Sequence, residues 1–220
     1  MLFSYGGKIT DLISNIGVPE NRIIEIPAGI ESHWFTEKIS PAPEITRFTF
    51  LGRYERRKGV EELNEALNLL LKNNVKFVFN FIGPFNDSEK VISGHITYHG
   101  VISDNSQLKD RLDQTDVLVC PSWSEGMPNV IVEAMSRGCA IIATDVGAVS
   151  LMVNPDNGLL IEPGNISQLA EALSHFIKMD RHTLDNMKKN SVSSVRKKFV
   201  YEMIIDKFIS RIESIINKKI

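Results

Sequence analysis

Short, almost continuous apolar runs recur through the middle of this sequence and constrain its fold more than any other feature. They lie at residues 48–51, 77–82, 117–120 and 140–143. None shows the polar alternation of a strand with one solvated face, so each is typical of a strand covered on both sides. Segments of helical spacing lie between and beside them, at residues 60–70, 108–112 and 128–137. Alternating buried strands and helices predict an α/β fold, in which a Rossmann-like parallel sheet carries helices on both faces.

The first part of the chain departs from this alternation. Residues 5–17 have the pattern of a helix, and residues 22–26 have the pattern of a strand. Residues 36–45 contain two prolines and read as a linker that leads into the sheet. We therefore expect residues 1–45 to lie outside the main domain, which covers residues 46–199.

The end of the chain is helical throughout. Helices are expected at residues 166–178, 181–197 and 200–217. The last of them has a wide apolar face that must cover another part of the protein, so we treat residues 200–220 as a C-terminal packing helix. Basic residues on this helix would also permit contact with a membrane surface; they are Lys207, Arg211, Lys218 and Lys219.

Composition and charge exclude several classes of protein. The 220 residues are 43% hydrophobic, which is enough to bury a core, and no apolar stretch approaches the length that spans a membrane. The formal net charge of -2 provides no basic field for nucleic acid. Cys120 and Cys139 lie in apolar stretches, which favours two buried thiols over a disulfide or a zinc site. We expect a cytoplasmic protein with no nucleic-acid partner.

The carboxyl ends of the predicted strands carry the residues that suggest a ligand site, as expected for an open parallel sheet. Arg53 directly follows the first strand and Lys58 opens the next helix, so both cations can converge on one anionic group such as a diphosphate. Gly52 leaves room for a close ligand. The neighbouring Arg56 and Arg57 read as an ordinary solvated charge run.

Two further strand ends contribute glycine and apolar residues. At Gly83 the backbone either approaches another group or turns tightly, and the sequence leaves both interpretations open. Val101 and Ile102 could hold a flat base through main-chain contacts. His95 and His99 lie nearby without the partners of a catalytic triad, so we expect structural or solvent-facing roles for them.

Residues 124–135 place two carboxylates, Glu125 and Glu133, around a loop-to-helix junction. Pro128 fits the first helical position, where its missing N–H costs nothing. Three N–H groups would then point outward at the positive end of the helix dipole; they belong to Asn129, Val130 and Ile131. Amide donors suit phosphate and carboxylates suit sugar hydroxyls, so the segment could bind a nucleotide sugar. By itself it supports equally an amphipathic helix whose second carboxylate faces solvent.

A series of short motifs runs through most of the chain. They are Ile26-Pro27-Ala28-Gly29-Ile30, Gly52-Arg53, Lys58-Gly59, Pro121-Ser122, Glu125-Gly126, Glu133-Ala134-Met135 and Asn157-Gly158-Leu159-Leu160. In order and spacing they resemble the C-terminal, donor-binding domain of the group 1 (family 4) glycosyltransferases, which are retaining enzymes. The resemblance implies that the chain forms one half of a GT-B architecture.

The resemblance also implies a role for each charged residue. Arg53 and Lys58 would bind the donor diphosphate and assist its departure, Glu125 would hold sugar hydroxyls, and Glu133 would hold the ribose. Further donor contacts would fall on Gly52, Gly83, Val101, Ile102, Gly126, Met127, Asn129 and Val130. The donor would be a UDP-, GDP- or ADP-sugar. No metal or other cofactor is expected, because the chain has no Asp-any-Asp motif to hold a divalent ion on the diphosphate.

The sequence makes four departures from the family pattern. Met127-Pro128 replaces a common Phe-Gly, which removes one backbone donor to the phosphates. The other three departures replace a usual Asn, Pro and acidic residue; they are Ala28, Cys139 and Ser150. None of the four removes a residue on which the expected chemistry depends.

The acceptor-binding domain of the family has no counterpart in the sequence. We expect residues 1–45 to be a remnant of that N-terminal domain with its linker, and this chain to bind donor without transferring sugar. The whole hexosyltransferase-type enzyme would act on a saccharide or lipid-linked acceptor through that N-terminal domain, with peripheral contact at the inner membrane face. Two other interpretations stay open: a non-catalytic nucleotide-binding module, and a GT-B relative such as a nucleotide-sugar epimerase.

Overall fold

The computed structural model describes residues 1–73 and 75–217, and these form parallel sheets flanked by helices. The strands are β1 (Leu2–Ser4), β2 (Ile23–Glu25), β3 (Arg47–Leu51), β4 (Val78–Ile82), β5 (Ile96–Tyr98), β6 (Val117–Cys120), β7 (Ala140–Thr144) and β8 (Gly158–Ile161). The α-helices are α1 (Lys8–Asn15), α2 (Val60–Lys72), α3 (Asn105–Asp113), α4 (Asn129–Ser136), α5 (Ile166–Lys178), α6 (Arg181–Lys198) and α7 (Tyr201–Asn217). The main sheet has the order β5-β4-β3-β6-β7-β8, with every neighbouring pair parallel. The predicted α/β fold is confirmed.

The main sheet is buried on both faces because alternate residues of a strand enter different cores. Val117 and Val119 pack in the core that contains residues of α2 and α5, whereas Leu118 packs with residues of α4 and α6. The helices contribute Leu63, Leu67, Leu173 and Phe176 to the first core and Ile131, Met135 and Val195 to the second. Burial from both sides is the physical reason for the continuous apolar runs in the sequence.

Residues 1–30, here called the N-terminal unit, form a small strand-helix-strand arrangement. β1 pairs in parallel with β2, from Leu2 opposite Ile23 to Ser4 opposite Glu25. The predicted helix over 5–17 is wrong at its beginning, because the chain preceding α1 has glycines with positive φ angles, 93° at Gly6 and 58° at Gly7. These conformations are incompatible with a right-handed helix, so α1 begins at Lys8 and not at residue 5.

Helix α7 packs against the N-terminal unit. The Phe208 ring meets the Phe3 ring edge-on at 5.5 Å between centroids, and a Cβ built on Gly29 would lie 2.9 Å from Ile204 Cδ1. Lys218 and Lys219 lie outside the described residues. No helix within the described ranges combines the length and the apolar character needed to cross a membrane. The division of the chain at 45/46 and 199/200 stays a prediction.

A buried charge cluster anchors α6 to the amino end of β6. Asp116 is fully buried and accepts two hydrogen bonds of 2.9 Å from the Arg47 guanidinium. The buried Lys188 of α6 donates to the Asp116 carboxylate at 2.8 Å and to the Ser40 carbonyl at 2.7 Å. Burial raises the pKa of Asp116, but the bonds from Arg47 and the charge of Lys188 outweigh it and hold the pKa below its ordinary value. The cluster therefore ties the linker, the sheet and a helix together.

Both cysteines are buried and free, as predicted. Burial raises the pKa of Cys120 to about 11 and that of Cys139 to about 12. Neither thiol is therefore ionised near neutral pH, and both behave as small apolar core residues.

Candidate functional site

Three glycines follow β3, β4 and β5 at the carboxyl end of the sheet. Gly83 has a φ of 144°, and a Cβ built there would lie 1.9 Å from the Gly52 carbonyl oxygen. Gly83 is therefore required by the close approach of the protein's own backbone, and its N–H donates to the Gly100 carbonyl at 2.8 Å. A Cβ on Gly52 would meet the Phe50 ring at 3.1 Å, so that ring takes part of the room expected for a ligand.

The connection from β3 to α2 brings a run of cations to this edge. Residues 56–58 form a single 3-10 turn, which Gly59 ends in the left-handed region with φ 68°. A Cβ on Gly59 would lie 1.9 Å from the Pro121 carbonyl oxygen. Only glycine permits so close an approach, and it places Lys58 beside the loop that follows β6.

Lys58 and Glu125 form the central ion pair of the site. Lys58 Nζ lies 2.6 Å from Glu125 Oε1, and the two side chains are only 17% and 9% exposed. The Ser122 hydroxyl donates to the same oxygen at 2.9 Å, and Arg57 Nη1 lies 3.5 Å from Glu125 Oε2. Partial burial reduces screening by water and salt. The structure thus brings together two predicted site residues from loops that follow different strands.

Arg53 is placed differently from Lys58. Its side chain is 68% exposed, and its Nε lies 2.9 Å from Glu55 Oε1. Arg57 bridges Glu55 and Glu125. Its Nε lies 3.1 Å from Glu55 Oε2, and its Nη1 lies 3.5 Å from Glu125 Oε2. Arg53 and Lys58 therefore contact different carboxylates here, and their convergence on one anion stays a prediction.

Arg56 and Arg57 are exposed to solvent, as predicted, but they also make specific contacts that the prediction did not include. Both side chains are about half exposed, but Arg57 lies between Glu55 and Glu125. Arg56 lies over the Trp123 ring, with its Cζ 4.7 Å from the ring centroid. A run of charges gives no signal of the contacts with Glu125 and Trp123, because these two residues lie far from the run in sequence. Ser122, the other unpredicted contact of Glu125, had only the Pro121-Ser122 motif as a signal.

Helix α4 begins one residue later than predicted. Pro128 is its N-cap, with φ −71° and ψ 114°, and the Pro128 carbonyl accepts a hydrogen bond from the Ile131 N–H at 3.1 Å. The N–H of Ile131 is therefore already used. Asn129 and Val130 are the first two helical residues, and N–H groups at these positions have no acceptor within a helix. The beginning of α4 therefore offers two of the three N–H groups that were predicted to face an anion.

The loop between β6 and α4 is held from two sides. A Cβ on Gly147 would lie 2.1 Å from the Glu125 carbonyl oxygen, and the Gly126 carbonyl accepts a hydrogen bond from Ala148 N–H at 2.8 Å. From the N-terminal unit, the Tyr5 ring lies 3.2 Å from where a Cβ on Gly126 would stand. The backbone conformation near Glu125 is thus determined by the turn after β7 and by the N-terminal unit.

Met127 occupies this loop with its side chain turned inward. The side chain is buried in the core, and its sulfur accepts a hydrogen bond from the Ala28 N–H at 3.0 Å. Met127 was predicted to contact the donor. Because its side chain is buried, such a contact can be made only by its backbone. Asn129, two residues further on, is exposed.

Glu133 is half-buried and lines a cavity of about 360 Å³. Other residues lining the cavity are Trp34, Asn105, Asn129 and Tyr201. Burial raises the pKa of Glu133, so the interpretation of its carboxylate as an ordinary solvated group is wrong. Carboxylate, amide and aromatic groups around a concave space suit a polar ring with hydroxyl groups.

The segment after β5 exposes apolar side chains. Val101 is 68% exposed and Ile102 is half-buried. The histidines nearby are structural, as predicted: His95 Nδ1 lies 3.0 Å from the Phe77 carbonyl oxygen, and His99 Nε2 lies 2.8 Å from a side-chain oxygen of β4. Base recognition in this segment stays a prediction.

Curated relatives of the chain are named as glycosyltransferases. The putative teichuronic acid biosynthesis glycosyltransferase TuaC of Bacillus subtilis (strain 168) is 40% identical over 127 residues, which is 58% of this chain and 32% of the relative. The N,N'-diacetylbacillosaminyl-diphospho-undecaprenol alpha-1,3-N-acetylgalactosaminyltransferase of Campylobacter jejuni is 29% identical over 202 residues, 82% of this chain and 52% of the relative. The chain thus spans between about a third and about half of the length of these two relatives.

Solved structures with the same fold include glycosyltransferases of the GT-B type. The apo form of the lipopolysaccharide outer core galactosyltransferase WaaB matches with a TM-score of 0.81 at 22% identity, covering 96% of this chain and 61% of that one. Anabaena Alr3699/HepE in complex with UDP-glucose matches with a TM-score of 0.77 at 18% identity, covering 97% of this chain and 64% of that one. Identities this low show the fold alone.

A match to a family model shows which protein family the chain belongs to. The model described as Glycosyl transferases group 1 matches residues 45–179, which span the main sheet from β3 to β8 and the site built on it. The motifs that carried the resemblance in the sequence and the GT-B fold of the structural neighbours agree with this match. The chain belongs to the group 1 glycosyl transferases.

Proposed function

We propose that this chain is the donor-binding part of a retaining, metal-independent glycosyltransferase and binds a nucleoside-diphosphate sugar at the carboxyl edge of the main sheet. The observation that carries the proposal is the partly buried Lys58–Glu125 pair beside the start of α4. It combines a cation, free helical N–H groups and a carboxylate. These are the groups that a diphosphate and a sugar require together.

The diphosphate would bind to Arg53, Lys58 and the N–H groups that begin α4. Lys58 has three N–H donors and gives one to Glu125, which leaves donors for phosphate oxygens. The exposed Arg53 side chain follows the end of β3. It can leave Glu55 and pair with a phosphate with little structural change. As the sugar leaves, these groups would stabilise the charge that grows on the diphosphate, so catalysis would be mainly electrostatic.

The two carboxylates would bind different parts of the donor. Glu125, oriented by Lys58 and Ser122, would accept hydrogen bonds from the sugar hydroxyls. Glu133 would accept hydrogen bonds from the ribose in the cavity that it lines. The main chain near Val101 and Ile102 would contact the base.

The acceptor and the cellular place of the reaction are part of the same proposal. Named relatives include proteins of teichuronic acid and colanic acid biosynthesis. We infer a saccharide or lipid-linked acceptor of a cell-surface polysaccharide or glycolipid, bound through an N-terminal domain at the cytoplasmic face of the membrane. Residues 1–45 would belong to that domain and its linker.

Isothermal calorimetry tests the donor proposal. The chain is titrated with UDP, GDP and ADP and with a sugar conjugate of each, with and without EDTA. We expect weak binding of one nucleoside diphosphate and its sugar conjugate, unchanged by EDTA. No binding of any of the six ligands would refute the proposal, and loss of binding in EDTA would refute metal independence.

Replacing the two cations tests their role directly. Arg53→Ala and Lys58→Ala are each expected to weaken binding of the nucleoside diphosphate by about 1–3 kcal/mol, the range for hydrogen bonds to charged groups. Lys72→Ala is a control, because Lys72 is exposed at the far end of α2. Unchanged affinity in both variants would place the diphosphate elsewhere.

Substitution of the two carboxylates tests which of them contacts the sugar and which contacts the ribose. Glu133→Gln is expected to weaken the binding of the nucleoside diphosphate and of the nucleotide sugar alike, by about 1–3 kcal/mol, because both ligands contain the ribose. Glu125→Gln should weaken only the nucleotide sugar, measured in the same titrations. Equal losses for both ligands in Glu125→Gln would contradict the assignment of this carboxylate to the sugar.

A further inference from the structure

Arg56, Glu62 and Trp123 form a compact cluster beside the proposed donor site, and no role in donor binding has been assigned to them. We propose that this cluster, here called the latch, positions Lys58 relative to Glu125. Its members come from the 3-10 turn, from α2 and from the loop after β6. The inference rests on the proposed function, since it assigns positioning residues to that site.

The first half of the latch joins the turn to α2. Arg56 Nη1 donates to Glu62 Oε2 at 2.9 Å, and Arg56 Nη2 lies 2.8 Å from Glu62 Oε1. The two contacts form a bidentate pair with a carboxylate that is only 10% exposed. Bidentate geometry fixes orientation as well as distance, so the Arg56 guanidinium is oriented against the first turn of α2. Lys58 lies two residues further along the same turn.

The second half joins the turn to the loop that carries Glu125. The Trp123 ring lies under the Arg56 guanidinium, and the backbone N–H of Trp123 donates to the Arg57 carbonyl at 2.7 Å. A Cβ on Gly164 would lie 2.3 Å from the indole ring, so the ring is pressed against the turn that follows β8. Trp123 therefore connects the ends of three strands.

The need for such a latch follows from the chemistry of the central pair. Lys58 has a long flexible side chain, and Glu125 lies 67 residues away in sequence on a separate loop. Fixed backbone positions reduce the conformational freedom that the long Lys58 side chain must lose to hold this 2.6 Å contact. The latch holds these backbone positions through Trp123, and Gly59 holds them on the other side of the turn through its contact with Pro121.

A merely structural role would predict something different. A cluster that only stabilises the fold would lower the stability of the whole chain, and any effect on ligands would be equal for nucleoside, phosphate and sugar contacts. A positioning role acts through Lys58. Its loss should therefore disturb the phosphate contacts, leave contacts of the nucleoside intact, and disappear once Lys58 has been removed.

The first experiment needs no ligand. A double-mutant cycle of Lys58→Ala and Glu125→Ala, measured by urea unfolding, gives the coupling factor between the two residues in the unfolding equilibrium constant. We expect this factor to fall by about threefold or more in the Arg56→Ala background and in the Trp123→Ala background, because each substitution removes one side of the contact between guanidinium and ring. In the Arg196→Ala background it should stay unchanged, because Arg196 lies over the Phe35 ring, 4.4 Å from its centroid, in a matched contact outside the site. An undiminished factor in both latch variants would overturn the proposal.

The second experiment uses the nucleoside diphosphate that the chain binds, and the matching nucleoside monophosphate. Arg56→Ala is expected to lower the affinity for the diphosphate about three- to tenfold and the affinity for the monophosphate much less. In a chain that already carries Lys58→Ala, Arg56→Ala should lower the affinity no further. Equal weakening of both ligands, or additive losses in the double variant, would reduce the latch to a structural role. If the chain binds no nucleotide, the proposed function fails, whereas the unfolding cycle still decides whether the latch positions Lys58.

Discussion

Asp116→Ala is expected to lower the free energy of unfolding by about 3–5 kcal/mol, the cost of breaking a buried ion pair by removing one partner. The substitution leaves the buried Lys188 without its carboxylate partner, although the Ser40 carbonyl still accepts from it, and it removes both guanidinium bonds of Arg47. Urea unfolding measures the loss. Asp110→Ala is the control, because Asp110 is an exposed residue of α3, and we expect a change within about 0.5 kcal/mol.

The pH dependence of the same variant gives an independent check. The pKa of Asp116 is lowered in the folded protein, so its carboxylate contributes stability at pH values above the unfolded pKa of about 3.9. That contribution is lost as the pH falls through the lower, folded pKa. The stability difference between the wild-type chain and Asp116→Ala should therefore be full near neutral pH and shrink in acid. A difference that is constant down to the lowest pH at which the chain folds would show that the ion cluster is not its source.

Gly59→Ala is expected to lower the free energy of unfolding by about 2–5 kcal/mol, the sum of a left-handed backbone penalty and a steric one. Gly59 has φ 68°, and its new Cβ would stand 1.9 Å from the Pro121 carbonyl oxygen. Either Gly59 or the loop after β6 must move. We therefore also expect weaker binding of the nucleoside diphosphate, because the backbone that carries Lys58 would shift away from the proposed phosphate position.

Gly100→Ala separates the two contributions. Gly100 has nearly the same φ, 70°, but a Cβ there would meet nothing within 4 Å. Its loss of stability should be the backbone penalty alone, about 1–2 kcal/mol. The difference between the two variants then measures the contact with Pro121. Equal losses would mean that the two loops separate at no cost, and the role given to Gly59 in placing Lys58 would be wrong.

Much of the fold could be predicted because its signals are local. The run at 117–120 and the helical pattern at 166–178 coincide with β6 and α5 residue for residue. Burial on both faces demands apolar residues at every position of a central strand, and this pattern is visible without any tertiary information. The errors occur where backbone conformation overrides composition. Gly6 and Gly7 delay α1, and Pro128 takes the N-cap position of α4 instead of the first helical turn.

The candidate site was predictable by residue type but not by pairing. Lys58, Glu125 and Glu133 were recognisable from their positions after strands and in a helix, and the structure places the first two in contact. Arg57 and Trp123 could not be recognised. Their partners lie in other elements, and charge or aromatic character in a loop is usually unremarkable.

The sequence by itself determined the parallel α/β sheet, the membership of the group 1 glycosyl transferases and the chemical types of the site residues. These depend on local periodicity and on short motifs. Only the tertiary structure decided which cation meets which carboxylate, that Arg53 and Lys58 contact different acids, and that the loop at Glu125 is held by Trp123, Gly147 and the N-terminal unit. The physical reason is that parallel strands bring distant loops to one edge of the sheet, where contacts of 2.6–3.5 Å depend on backbone positions that no local pattern records.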